Sequence, residues 1–285
     1  MHDTFYFTDV HGRLDFYRAM RKWCYDQDPE AMIVYGGDAC DRGPSGYQIM
    51  KEILDDPYII YIRGNHEQMF IDAARSILKQ YPNAAKKFSS VDELIQKLRN
   101  DKYVRLSVYN GGKPTLEGWL QDGFPESFIE RLDAQMRTVF DINQKICFSH
   151  AGGTAAAWAR VWTCEQNGLN IDAFDKQEMI WDRDYLDSNW PEGKIIIFGH
   201  TPTMYINEEY ELDMVMDETT MKPISYFTED SVDTGMHIAM DTGMVWSKRG
   251  YVLNCNTLKA HGFYIDAYGI KKNFDVINLR GKVSR

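Results

Sequence analysis

Gly36-Gly37-Asp38-Ala39-Cys40-Asp41-Arg42-Gly43 follows the apolar run Ala31 to Tyr35 and precedes a helix-like segment that starts at Pro44. An apolar run of that length bounded by glycines predicts a buried strand. Two carboxylates and an arginine leave it within a few residues. Asp38 comes straight off the strand, where one carboxylate could bridge two cations. Asp41 lies a tight turn later, and Arg42 offers a planar fork of donors to a phosphate. Read alone, the octapeptide also fits a polar turn with a surface ion pair, since turns use Asp and Gly for ordinary reasons.

The same plan recurs on both sides of this stretch. Phe5 to Thr8 predicts a strand that ends in Asp9-Val10-His11-Gly12, and Arg13 to Cys24 has Leu14, Tyr17, Met20 and Cys24 at helical spacing. Residues i and i+2 share a face of the pleat, so Asp9 and His11 point the same way. A carboxylate and an imidazole held like that suit Mn, Fe or Zn. After a helix from about Pro44 to Leu54, Tyr58 to Ile62 reads as a third strand, ended by Arg63-Gly64-Asn65-His66-Glu67. A helix over Glu67 to Leu78 follows.

From Lys79 to Asn143 the pattern changes to polar helix-forming segments, roughly Val91 to Leu98 and Phe124 to Met136, and predicts a helical insertion or cap. Asn110-Gly111-Gly112-Lys113 within it marks a turn, either a plain surface turn or one that approaches a ligand closely. Strands return at Lys145 to Phe148, ended by Ser149-His150-Ala151-Gly152-Gly153, and at Lys194 to Phe198, ended by Gly199-His200-Thr201-Pro202. Between them lies Ile180-Trp181-Asp182-Arg183-Asp184. Glu208 to Asp233 has nine carboxylates against the single Lys222, which predicts a solvated excursion or a negative rim. His237 to Met240, Gly250 to Leu253 and Gly262 to Ile265 predict closing strands, and Asp241-Thr242-Gly243 the turn after the first. The tail from Lys271 is mildly basic.

A chain of 285 residues can bury one large core, and 44% hydrophobic with 26% charged residues is an ordinary globular balance, so a single domain is expected. A net charge of -10 argues against nucleic acid as a general partner. The N-terminus has no leader-like pattern and no 18 apolar residues run together, so no membrane partner and a cytoplasmic location are expected. Cys24, Cys40, Cys147, Cys164 and Cys255 are scattered and odd in number, which predicts mostly buried, reduced thiols. Cys40, beside the octapeptide, is either a redox switch or a buried neutral thiol.

Five apolar strands thus each end within a few residues of a metal-ligand or acid-base side chain. In α/β sheets ligands collect at the carboxyl ends of strands, so these ends converge although they span nearly 200 residues of chain. Four of the seven histidines, His11, His66, His150 and His200, fall at strand ends. His2, His237 and His261 are left as structural.

In order and spacing, Asp9-Val10-His11-Gly12, Gly37 to Gly43, Arg63 to Glu67, Ser149 to Gly152 and Gly199-His200 resemble the motifs of the calcineurin-like metallophosphoesterases, and more narrowly the phosphoprotein phosphatase branch. The resemblance runs from residue 9 to about 243 and implies an α/β fold, a four-layer α-β-β-α sandwich of two mixed sheets. It implies two divalent cations, manganese foremost with iron or zinc as alternatives. Asp9 and His11 would hold the first, Asp38 would bridge, and Asn65, His150 and His200 would hold the second. Two cations about 3.5 to 4 Å apart can lower the pKa of a water that bridges them. His66 would then be the general acid, Asp41 its orienting carboxylate, and Arg42 and Arg183, with Asn65, would hold the phosphoryl group.

Ala39-Cys40 departs from the larger residues of the eukaryotic protein phosphatases, whose C-terminal loop is also missing. Asp41-Arg42 speaks against the symmetrical diadenosine tetraphosphatases, whereas Asn110-Gly111-Gly112 and Trp181-Asp182-Arg183 look like the bacterial and phage phosphatases. The expected activity is a metal-dependent serine/threonine protein phosphatase of loose selectivity, acting on phosphorylated protein or small phosphoesters. The alternatives are a dinucleoside polyphosphate hydrolase and a non-catalytic, metal-dependent phosphate-binding scaffold.

Overall fold

Strands β1 (Thr4–Phe7) and β2 (Met32–Tyr35) lie parallel, with Phe5 opposite Ile33 and Phe7 opposite Tyr35. β3 (Ile59–Tyr61) continues the sheet in parallel. On the other side of β1 run β9 (Arg249–Asn254), β10 (Lys259–Asp266) and β11 (Gly269–Asn278), all antiparallel to their neighbours, giving the order β11-β10-β9-β1-β2-β3. A second sheet has the order β4-β5-β6-β8-β7, from β4 (Val139–Ile142), β5 (Ile146–Ser149), β6 (Lys194–Phe198), β7 (Ile224–Tyr226) and β8 (Gly235–Ala239). It too is mixed: β5, β6 and β8 are parallel, and both edges antiparallel. The chain is described by a computed structural model over residues 2–183, 191, 193–209, 222, 224–226, 235–266 and 269–279. Most of the acidic stretch expected as an excursion, and Asp184, lie outside the described residues.

Side-chain alternation explains why two sheets stack. Phe5, Phe7, Ile33 and Tyr35 point to a cluster shared with the helices, while the intervening Tyr6 and Val34 point to a second cluster with Phe148, Ile197 and Ile238 of the other sheet. Cys147, Ile196, Phe198 and Ala239 turn to a third, with Trp158 and Met179. These central strands are apolar on both faces because both faces are covered. Helices α1 (Leu14–Gln27), α2 (Gly46–Leu54) and α3 (Asn65–Gln80) cover the first sheet; α9 (Ala155–Gln166) and α10 (Ala173–Ile180) cover the second. Helix, sheet, sheet and helix make the four expected layers.

The stretch 79–143 carries α4 (Ala84–Lys87), α5 (Val91–Lys97), α6 (Lys102–Tyr109), α7 (Lys113–Gln121) and α8 (Glu126–Gln135), then β4, which pairs with β5. Asp101 caps α6 by accepting from the backbone N–H groups of Tyr103 and Val104, both at 3.0 Å. α6 packs on α3, where its cap Asp101 also accepts from Ser76 and Gln80 in the last turns, and α7 packs on α2. α11 (Thr203–Glu209) and the short α12 (Met244–Ser247) follow β6 and β8. Among the described residues no helix is long and apolar enough to cross a membrane.

Candidate metal centre

Six strands of the two sheets, β1, β2, β3, β5, β6 and β8, run out at one edge and deliver Asp9, Asp38, Asn65, His150, His200 and Asp241 there. The strand-end loops turn sharply. Asp9 (φ 55°), His11 (42°), Asp38 (56°), Asp41 (67°), Arg42 (63°) and His200 (64°) all adopt left-handed backbone conformations that non-glycine residues usually avoid. Each costs about 1 to 3 kcal/mol, so the surroundings must hold them there. They do so by continuing the β1–β2 ladder past the strand ends: Asp9 N–H donates to Gly37 O (3.0 Å), His11 N–H to Asp38 O (3.0 Å) and Gly12 N–H to Ala39 O (2.8 Å). Gly12 and Gly43 let two of these loops touch, since a Cβ on Gly12 would lie 2.4 Å from Gly43 O.

Asp38 sits at the middle. Its Oδ2 is 3.6 Å from His11 Nε2 and its Oδ1 is 3.3 Å from His150 Nε2. Asn65 Oδ1 lies 3.0 Å from both His150 Nε2 and His200 Nδ1. Two groups of potential ligand atoms result, His11–Asp38–His66 and Asp38–His150–His200, each with its atoms within 4.8 Å of one another and all residues buried. They share Asp38, one oxygen toward each.

The outer ring nitrogens distinguish the histidines by partner. Nδ1–H of His11 donates to Cys40 O (2.9 Å), Nδ1–H of His150 to Gly36 O (2.8 Å), and Nε2–H of His200 to Trp181 O (2.8 Å). A backbone carbonyl thus fixes each ring so that its other nitrogen faces the cluster, the usual support of a metal-ligating imidazole. His66 differs. Its Nδ1 faces the Asp41 carboxylate at 2.8 Å, and its Nε2 faces Arg42 Nη2 at 3.1 Å. Arg42 Nη1 also meets His11 Nε2 at 2.6 Å, so the guanidinium spans the mouth of the first group.

Burial and charge act against each other. Burial pushes Asp38 up, but the imidazoles of His150, His66 and His11 outweigh it and hold the carboxyl well below its usual range. His150 is the converse: burial disfavours its charge, yet Asp38 and Asp9 raise it to about 10. Burial and then Asp241 push Asp9 up, and burial raises Asp241 to about 6. His200 is lowered, first by burial, then by the charges of His150 and Arg183. Buried carboxylates that draw a proton onto an imidazole are short of positive charge, and mixed N and O donors around a shared carboxylate fit divalent cations.

Asp9, one of the expected first-metal ligands, is bound by its own loop: Thr8 donates its hydroxyl to Oδ2 (2.5 Å), and His200 N–H lies 3.2 Å from both oxygens. It falls outside the two groups, while His66 falls inside one. Arg183 is exposed and lies close enough to act on His200. Cys40 is fully buried and its thiol is pushed well up by that burial, the state of an inert protonated thiol. None of the five cysteines is in a disulfide.

Three residues at the site had no assigned role in the sequence reading. Glu67 lies inside a motif already noticed; its carboxylate accepts from Asp38 N (2.9 Å), Ala39 N (2.7 Å) and Gly64 N (3.0 Å), tying the β2 loop to the start of α3. Trp246, half exposed, stacks 5.2 Å from Arg42 Cζ. Thr115, fully buried at the start of α7, donates its hydroxyl to Asp41 Oδ1 (2.7 Å) and accepts from Asp41 N (2.9 Å). No local pattern marks Thr115, because its partner is 74 residues away.

Two mixed sheets with this set of side chains at their shared edge define a metallophosphoesterase. A sequence model of the calcineurin-like phosphoesterases matches residues 4–219, and the chain belongs to that family. Serine/threonine-protein phosphatase 1 of Salmonella typhimurium is 32% identical over 68 residues, an alignment that spans 24% of this chain and 31% of that protein. Among solved structures, a cold-active protein tyrosine phosphatase superposes with a TM-score of 0.54 at 16% identity, covering 95% of this chain and 78% of that one. The cold-active protein-tyrosine phosphatase of a psychrophilic Shewanella species gives 0.51 at 16% identity, covering 95% and 80%. At such identities the likeness is one of fold.

Proposed function

We propose that this chain is a phosphomonoesterase with a binuclear metal centre, acting as a serine/threonine protein phosphatase. The observation that carries the reading is buried Asp41 and His66 meeting the exposed Arg42 beside Asp38, an acid, its orienter and a phosphate fork in mutual contact. Two cations held by Asp9, His11, Asp38, Asn65, His150 and His200, manganese foremost, would supply Lewis-acid activation of an attacking water and charge for the phosphoryl group. The residues of the chain supply the rest. Arg42 and Arg183 bind the phosphoryl oxygens and take up charge that develops on them. His66 gives its proton to the departing alkoxide, and Asp41 keeps the ring turned and favours its protonated form. Both arginines give an acidic protein a locally cationic seat for an anionic substrate. The short match to the Salmonella serine/threonine phosphatase supports phosphoprotein as the substrate class.

The test is phosphate release from p-nitrophenyl phosphate and from a phosphoserine peptide by metal-stripped protein, with Mn²⁺ added back, in wild type and Asp38→Asn. Metal-dependent release from both substrates, lost in the variant, is expected. Faster cleavage of diadenosine tetraphosphate than of the peptide would overturn the protein-phosphatase reading. Metal binding without release from any of the three would leave the phosphate-binding scaffold.

A further inference from the structure

Residues 79–113 carry eight lysines and arginines against three carboxylates, in a chain whose net charge is -10. Within it, beside α6, lies an apolar groove of about 550 Å³, walled by Ile95, Leu98 and Val108 and rimmed by three of these cations, Arg99, Lys102 and Arg105. The three cations are exposed, and among the described residues none is in an ion pair, whereas nearby Lys113 is paired with Asp92. Leu106 and Tyr109, also on the groove, are 44% and 88% exposed. Exposed apolar surface rimmed by unpaired charge of one sign is the signature of a recognition surface, and the sign specifies the partner.

We propose that this groove docks an acidic segment of the phosphoprotein substrate, anchored by one or two apolar side chains. The inference rests on the protein-phosphatase reading. The apolar walls give nothing to a sugar-phosphate backbone but accept a Leu or Phe side chain, and the rim cations meet carboxylates on either side of that anchor. Position supports a role in substrate choice. The groove ends at Tyr109, and two residues on, Gly111 O accepts the Arg42 N–H at 2.9 Å. Two residues reach at most about 7 Å, so a peptide in the groove runs beside the loop that carries the phosphate arginine.

The experiment compares two phosphoserine peptides identical around the phosphate, one extended by an Asp/Glu-rich segment with a central Leu, the other by Ser and Gly. Wild type is expected to show a KM about tenfold lower for the acidic extension with kcat unchanged, and Arg99→Glu/Arg105→Glu is expected to abolish that advantage. Hydrolysis of p-nitrophenyl phosphate stays at the wild-type rate in the variant, since neither residue touches the centre. Equal KM for the two peptides, or an advantage that survives charge reversal, overturns the proposal. Binding of the unphosphorylated acidic peptide, read by fluorescence anisotropy, separates this from the chemistry: it must be seen in wild type and lost in the variant even if no substrate is cleaved. A single-stranded oligonucleotide that competes as well as the peptide would overturn the peptide assignment.

Discussion

His66 Nδ1 and the Asp41 carboxylate stand 2.8 Å apart, both buried, and the same carboxylate takes the Thr115 hydroxyl at 2.7 Å on its other oxygen. Helix α7, from the stretch 79–143, therefore reaches the proposed acid through one intermediary. His66→Asn removes the proposed proton donor and keeps the six proposed metal ligands. Turnover is expected to fall by roughly 10² to 10⁴, more for an alkyl phosphate than for p-nitrophenyl phosphate, whose leaving group needs little protonation. Equal losses on both substrates in steady-state assays would exclude His66 as the acid.

Thr115→Val keeps the volume and removes the hydroxyl that holds Asp41. One lost buried hydrogen bond to a charged group costs about 1.5 to 3 kcal/mol of stability. If Thr115 only stabilises the fold, the residual activity of folded protein is normal. If it positions Asp41, alkyl phosphate turnover drops more than p-nitrophenyl phosphate turnover, and Thr115→Ser restores it.

Gly111 has a φ of +91°, and a Cβ there would lie 3.0 Å from Arg42 Cγ. Gly111→Ala strains the turn and displaces the arginine whose backbone N–H the Gly111 carbonyl accepts. A several-fold rise in KM for p-nitrophenyl phosphate, with metal content unchanged by elemental analysis, is the expected result. An unchanged KM would show that Arg42 does not rely on this turn.

His66 and His150 both have raised pKa values in the metal-free fold. For both, burial pulls the other way and Asp38 is the largest source of the rise; His150 reaches about 10 against an ordinary 6.5. A raised folded-state pKa means that the folded chain holds more protons than the unfolded one above pH 6.5. Their contribution is therefore fully present below about pH 6.5 and is lost as pH climbs toward 10. Urea denaturation of the metal-stripped chain at pH 6.5 and 9.5 should show lower stability at the higher pH, by on the order of a few kcal/mol. Added Mn²⁺ should raise stability at pH 9.5, by about 2.7 kcal/mol at a hundredfold excess over its dissociation constant. A flat profile without metal would contradict this charge balance.

The strands that reach the site were legible because each is an apolar run that ends within a few residues of a glycine and a candidate ligand or acid-base side chain. Phe5 to Thr8, Ala31 to Tyr35, Tyr58 to Ile62, Lys145 to Phe148 and Lys194 to Phe198 appear as β1, β2, β3, β5 and β6 with small shifts of boundary. β4 was hidden inside a stretch read as helical, since Val139-Phe140-Asp141-Ile142 is a short, half-buried edge strand. β11 was hidden in a tail whose lysines mask its alternation. Helices α6 and α7 are short, eight and nine residues, and were not delimited within the helix-forming stretch; they pack on α3 and α2.

The sequence by itself determined which candidate residues stand at the strand ends, because ligand types following an apolar run are a local property. It also determined the family, through ordered motifs that need no coordinates to compare. Only the tertiary structure decided which partner stands behind each histidine, since a carbonyl behind His11, His150 and His200 and a carboxylate behind His66 come from distant parts of the chain. It alone brought Thr115 to Asp41 and gathered the unpaired cations of α6 and of the turn before it around one apolar groove. Hydrogen-bond partners and surface shape depend on contacts between residues far apart in sequence, and no local pattern encodes them.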